Sequence, residues 1–126
     1  MNNIIINTPK APAPIGPYSQ AVWAGNLLFV SGQIAIDPAT NKWATNNILG
    51  ESTQVMENIK AILMEANLNF NNVVKTTIFL SDMEHFKIVN EVYEKYFNNY
   101  FPARETVAVK GLPKNVNVEI SIIASK

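Results

Sequence analysis

The chain predicts an α/β sandwich, a single domain over residues 1–126 in which a mixed sheet carries two helices on one face. Three observations lead there. Strand and helix signals follow one another as strand, strand, helix, strand, helix, strand, strand. Two segments place apolar residues at helical spacing, and the rest alternate or run β-branched between Gly, Pro and Asn turn chemistry. At 126 residues there is room for one core and not two.

Ile4 to Ile6 can begin a short strand. Residues 9 to 17 hold four of the seven prolines, so this stretch is extended. Gln20 to Ala24 and Leu27 to Ser31 flank Gly25-Asn26, which is two-residue hairpin chemistry. Asp37 to Asn47 reads as a surface loop started by Asp37-Pro38. The first helix is expected over about Glu51 to Ala66, with Val55, Ile59, Ile62, Leu63 and Ala66 on one stripe and Asn67 as its left-handed stop. Val73 to Leu80 is a buried strand by its β-branched content. Ser81 and Glu84 stand at capping-box spacing, opening a second helix to about Phe97 whose stripe is Met83, Phe86, Val89, Tyr93, Tyr96 and Phe97. Pro102 ends that run before two last strands, about 104 to 109 and 116 to 124, read as a hairpin across a loop with Gly111 and Pro113. Two helices cover one sheet face only. The other face carries aliphatic surface and needs a cover, most simply a copy of itself.

Composition narrows the function classes. Ten basic residues balance ten acidic ones, so nothing attracts nucleic acid or an anionic membrane, and no tight nucleic-acid binding is expected. Without cysteine there is no thiolate chemistry or disulfide, and His85 is the only histidine, so neither a sulfur-ligated nor a His-rich metal site is expected. His85 falls in the first turn of the second helix, facing solvent. Gly16 and Gly25 match no phosphate-cradling fingerprint. No apolar run is long enough to span a bilayer, and the first residues lack a basic leader, so the expected location is the cytoplasm.

Nine of the ten basic residues are lysine, and asparagine occurs seventeen times. Against that background the single arginine, Arg104, stands out, because its planar fork matches a carboxylate in two parallel hydrogen bonds. Strand alternation puts Arg104, Thr106 and Ala108 on one face, with Glu105, Val107 and Val109 on the other. In the last strand Val116, Val118, Ile120 and Ile122 share a face, and Glu119 points away from them. On these residues alone, a cross-strand Arg104–Glu119 salt bridge is the simpler reading. Asn90 lies one turn from Phe86 and Tyr93 on the apolar side of its helix, where a buried amide needs partners, a loop backbone being the ordinary one. Ser31-Gly32 closes a strand, and a glycine there lets backbone donors approach a ligand. Ser31 lacks a base at motif spacing and is a poor nucleophile.

Six segments occur in one order: Ile-Gly-Pro-Tyr-Ser-Gln-Ala at 15–21, Val-Ser-Gly-Gln-Ile at 30–34, Val-Asn-Glu-Val-Tyr at 89–93, Pro-Ala-Arg at 102–104, Leu-Pro-Lys at 112–114 and Val-Glu-Ile at 118–120. Together they resemble the RidA (YjgF) family of enamine/imine deaminases over nearly the whole chain. The resemblance implies a chorismate-mutase-like fold, a homotrimer with ligand clefts between subunits, and no cofactor. It implies that Arg104 binds the substrate carboxylate and Glu119 positions water, with Tyr18, Ser31, Gly32 and Asn90 lining or shaping the cleft. Two positions depart from the family pattern. Glu105 stands where a small residue is usual, and Thr106 stands where some members carry cysteine, retaining a backbone and hydroxyl donor at the cleft.

The implied reaction is hydrolysis of a 2-imino acid, formed from a 2-aminoacrylate-type enamine, to a 2-oxo acid and ammonia. Two other functions remain open on the sequence: an endoribonuclease that inhibits translation, and a non-catalytic regulator that binds a small acid in the same cleft.

Overall fold

The computed structural model describes residues 4–43, 46–98 and 100–126. Its strands are β1 (Ile5–Ile6), β2 (Ala21–Ala24), β3 (Leu27–Gln33), β4 (Ile36–Asp37), β5 (Lys42–Trp43), β6 (Val73–Leu80), β7 (Ala103–Ala108) and β8 (Val118–Ser125), with helices α1 (Ile48–Glu65) and α2 (Phe86–Glu94). Six strands form one sheet in the order β1-β2-β3-β8-β6-β7, and β4 pairs with β5 in a small separate ribbon. Where a loop is expected over 37–47, the backbone therefore turns back on itself through Asn41, whose φ is 59°. Ala44 and Thr45 of that loop, and the first three residues, lie outside the described ones.

Both helices lie on one face of the sheet. α1 begins three residues earlier than its apolar stripe suggests, because the Asn47 side chain accepts from the Gly50 N–H at 2.7 Å and opens the helix there. Its stripe, Val55, Met56, Ile59, Ile62 and Leu63, is fully buried. Asn67 takes a φ of 60°, its N–H donating to the Met64 carbonyl and the Leu68 N–H to that of Leu63. That pair of bonds with a left-handed residue is the Schellman stop, sealed by buried Leu68.

The start of α2 differs from the expected capping box. Asp82 caps the turn, its carboxylate accepting from Glu84 N–H at 2.8 Å, and one tight turn (Met83–His85) precedes the helix proper. Ser81 stands just past the end of β6. Its N–H donates to the Asn117 carbonyl and its hydroxyl is 3.1 Å from the Asn117 side chain, so it is not free to cap. His85 is partly buried rather than solvent-facing. The helix ends at Glu94, but bonds from Tyr96 to Tyr93 and from Phe97 to Glu94 carry the coil on, and Phe97 packs 4.8 Å from the Tyr93 ring. Val89, Tyr93 and Phe97 of the expected stripe are buried, whereas Met83 and Phe86 at its start are exposed.

The last two strands are not a hairpin. β7 pairs in parallel with β6, and β8 lies on the other side of β6, antiparallel to it and to β3. A β-α-β crossover through α2 returns β7 to the edge beside β6. β8 fills the centre, where Val118, Ile120, Ile122 and Ala124 are buried under the helices. Glu51 holds the start of β8: this buried carboxylate accepts from Asn117 N–H at 2.8 Å, Val118 N–H at 3.1 Å and the Asn117 amide at 2.9 Å. Beside the end of β3, buried Gln20 accepts from Thr8 N–H and donates to the Thr8 and Pro12 carbonyls. A side-chain amide thus pins a proline-rich segment that has few N–H groups of its own.

The face away from the helices is open and of mixed character. Leu27, Phe29 and Val107 are exposed on it. Glu105 lies there too, 3.1 Å from the Lys75 ammonium and hydrogen-bonded to Thr77, which holds its carboxyl below the usual range.

Candidate functional site

Arg104 stands on β7 in register with Thr76 of β6, and both face α2. The guanidinium carbon lies 5.0 Å from the Tyr93 ring centre and 5.8 Å from that of Phe86, and Nη1 donates to the Asn90 side-chain oxygen at 2.8 Å. Tyr93 is itself fixed, its buried hydroxyl donating to Thr76 Oγ1 at 2.9 Å. Burial raises the Tyr93 pKa, so the ring stays neutral beside the cation. The spacing of α2 explains the cluster, since residues 86, 90 and 93 lie one turn apart on one side of the helix. Among the described residues Arg104 makes no ion pair, and its only side-chain hydrogen-bond partner is a neutral amide. The guanidinium is oriented by stacking and one hydrogen bond, with its charge uncompensated. It borders a cleft of about 380 Å³ whose other walls are Asn90, Tyr93, Glu94, Phe101 and Pro102. Next on the same face, Thr106 has a buried hydroxyl with no hydrogen-bond partner among the described residues.

Glu119 lies elsewhere. It is in register with Phe79 on β6, on the face opposite to buried Val118 and Ile120. It borders a second pocket of about 360 Å³, walled by Ile15, Tyr18, Ser31, Gly32, Ile34 and Pro113. The walls are largely apolar, and desolvation raises the Glu119 pKa above the ordinary glutamate value. No hydrogen bond or ion pair reaches this carboxylate among the described residues. Ser31 is committed structurally: its hydroxyl donates to the Ser19 carbonyl at 2.6 Å and its N–H to the Gln20 carbonyl at 2.9 Å. It thereby holds the segment that carries Tyr18, which is half exposed at the pocket mouth.

The expected residues thus fall into two groups. Arg104, Asn90 and Thr106 face the helices, and Tyr18, Ser31, Gly32 and Glu119 gather on the other side of the sheet. An Arg104–Glu119 salt bridge within the chain is excluded by this placement. Glu105 points away from Arg104, as alternation expects. Sequence reasoning passed over Phe86 and Tyr93 as site residues because an aromatic stripe reads as core. The usable signal was their one-turn spacing from Asn90. Among the described residues no three histidine or acidic side chains converge to hold a metal ion, and no helix is long and apolar enough to cross a membrane.

Comparison with known proteins is consistent across sequence and structure. The family model described as endoribonuclease L-PSP matches residues 8–126. A RutC family protein of Pyrococcus horikoshii is 52% identical over 122 residues, covering 97% of both chains. The Mus musculus 2-iminobutanoate/2-iminopropanoate deaminase is 45% identical over 120 residues, covering 95% of this chain and 89% of its own. Crystal structures of RidA from an Antarctic Psychrobacter species (42% identical, 96% of this chain and 98% of that one) and of Escherichia coli TdcF with bound serine (38% identical, 97% and 98%) both superpose with a TM-score of 0.92. With its mostly antiparallel sheet, its two helices and this family match over nearly its full length, the chain belongs to the Rid (YjgF) family, the family of the L-PSP model.

Proposed function

We propose that the protein hydrolyses 2-imino acids, the tautomers of 2-aminoacrylate-type enamines, to 2-oxo acids and ammonia. The observation that carries this reading is Arg104: a guanidinium with no ion pair among the described residues, held by Asn90 and the Tyr93 ring, at the wall of a cleft. Its remaining N–H groups offer a small carboxylate a two-pronged, charge-assisted seat. The mouse relative named as an imine deaminase supports the substrate class.

The chemistry asks for little more. With the carboxylate fixed, the imine carbon is held near a water molecule. Glu119 accepts a proton from that water as its oxygen bonds to the carbon and the C=N electron pair moves to nitrogen. Glu119 returns that proton to the nitrogen to complete the carbinolamine. It then carries the carbinolamine hydroxyl proton to the same nitrogen as the C–N bond breaks, so that ammonia leaves, the oxygen becomes the carbonyl of the 2-oxo acid and the carboxylate is regenerated. A carboxylate whose pKa is raised toward working pH is a better base than an ordinary surface glutamate.

Because Arg104 and Glu119 face opposite sides of one sheet, a single chain does not bring them to one substrate. The reading therefore includes a homotrimer in which clefts between subunits combine Arg104 of one copy with the Glu119 pocket of the next. The open sheet face, with Leu27, Phe29 and Val107 exposed, supplies apolar surface for that assembly. The buried Thr106 hydroxyl faces the Arg104 side as a further donor.

The test is ammonia release by the purified protein, supplied with an enzyme that generates 2-iminopropionate or 2-iminobutyrate. Release above the spontaneous rate supports the reading. Binding of small carboxylates with no added ammonia release would make the protein a regulator instead.

A further inference from the structure

Among the described residues Glu119 makes no hydrogen bond, yet a water-positioning carboxylate has to be held in place. The structure holds it by contact. A Cβ built on Gly32 would stand 2.5 Å from Glu119 Oε2, 2.8 Å from Cδ and 2.9 Å from Cγ. These are inside any real carbon contact, and they involve the root of the carboxylate as well as its tip, so a rotation of the last torsion does not relieve them. Gly32 lies in the irregular stretch of β3 between Val30 and Gln33, where the register with β8 shifts. The irregularity brings bare backbone against the neighbouring strand at the position of Glu119.

We infer that Gly32 is a positioning residue, the seat on which the Glu119 side chain lies, and that its missing side chain, rather than a ligand contact, is its contribution to the site. This rests on the proposed role of Glu119 and deepens it. The surroundings agree: Ile15, Ile34 and Pro113 close the apolar sides of the pocket, and among the described residues Tyr18 is the only other titratable wall and no second charged side chain lines it. A carboxylate pressed onto this seat is partly desolvated, in keeping with its raised pKa. Any side chain at position 32 would drive it off β3 toward the open side of the pocket.

Gly32→Ala tests this, since the φ of Gly32 is not in the left-handed region and the backbone itself accepts alanine. The variant should lose about a hundredfold in kcat, the scale of a misplaced catalytic group, with KM little changed because Arg104 is untouched. Carbon-13 NMR titration of the Glu119 carboxyl should show its pKa falling toward the ordinary glutamate value, with the acid limb of the rate profile following it. An unchanged kcat, a rise in KM alone, or an unshifted Glu119 titration would each overturn the seat. If Gly32→Ala folds poorly, its melting point is read in a second background. Gly32→Ala should cost nothing beside Glu119→Ala, where the collision is gone, and an equal loss in both backgrounds overturns the inference. A parent protein without deaminase activity whose Glu119 pKa still falls in Gly32→Ala would sustain the seat while removing the proposed reaction.

Discussion

Arg104 and Glu119 stand back to back across one sheet, Arg104 in register with Thr76 beneath α2 and Glu119 in register with Phe79 on the open face. The cation is pinned by Asn90 and two aromatic rings, and the carboxylate rests in a separate, largely apolar pocket. Each has the environment its proposed role needs, and each lacks the other.

Arg104→Lys keeps the charge and loses the fork. A lysine does not donate to Asn90 and a carboxylate in the same plane, so imine hydrolysis should fall at least ten- to a hundredfold, the equivalent of about 1.5–3 kcal/mol for one charge-assisted contact. Steady-state ammonia release gives the activity, and small carboxylates should no longer raise the melting temperature. Full activity in Arg104→Lys would sink the proposed site.

Tyr93→Phe separates stacking from anchoring. The ring under Arg104 remains, but the buried Thr76 hydroxyl loses its 2.9 Å partner. Denaturant unfolding should show a loss of about 1–2 kcal/mol, with the KM for the imine changed far less than in Arg104→Lys. A KM rise as large as that of Arg104→Lys would mean that the hydroxyl itself orients the guanidinium.

Glu119→Gln should be inactive and, near neutral pH, more stable than the parent. The folded pKa of Glu119 is raised, so above the ordinary glutamate range the native state retains a proton that the unfolded chain has released. Parent stability falls as pH rises through that window and is level once the folded pKa is passed. Melting curves of parent and variant should therefore diverge across that window and run in parallel above it. A melting-point difference that does not change with pH would show that the Glu119 pKa is ordinary.

Glu51→Ala should be among the most destabilising single changes, although Glu51 touches neither pocket. It leaves the Asn117 and Val118 N–H groups without their acceptor at the start of β8, one strand position before Glu119. A cost of about 3 kcal/mol or more is expected from losing bonds to a charged acceptor in a buried place. Chemical denaturation checks this, and a loss below about 1 kcal/mol would show that water replaces the carboxylate.

Light scattering should report a trimer for the parent at micromolar concentration, and Phe29→Asp should reduce it to monomers by placing a charge on the open face. Activity should disappear with the assembly. A fully active monomer would mean that one chain holds a complete site.

Much of this protein is written locally. The α1 stripe, the left-handed stop at Asn67, the Gly25 turn with its φ of 60° and the alternation along β7 and β8 follow from spacing and turn chemistry within a few residues. The chemical character of Arg104 as the one planar fork in the chain is equally a property of the sequence. Strand neighbours are not. Every strand offers the same N–H and C=O groups to any partner, and what places β8 between β3 and β6 is the α2 crossover together with the buried faces of Val118, Ile120 and Ile122. That order puts β6 between Arg104 and Glu119, and the register along β6 leaves them on opposite faces in place of the cross-strand pair. Nor does the sequence show that Ser81 is tied to Asn117, that Asp82 caps in its stead, or that Gly32 lies under Glu119. The Ser81–Asn117 and Gly32–Glu119 contacts join segments far apart in the chain, and only packing in three dimensions decides which of them meet; the Asp82 cap is local, and takes over because Ser81 is held by Asn117.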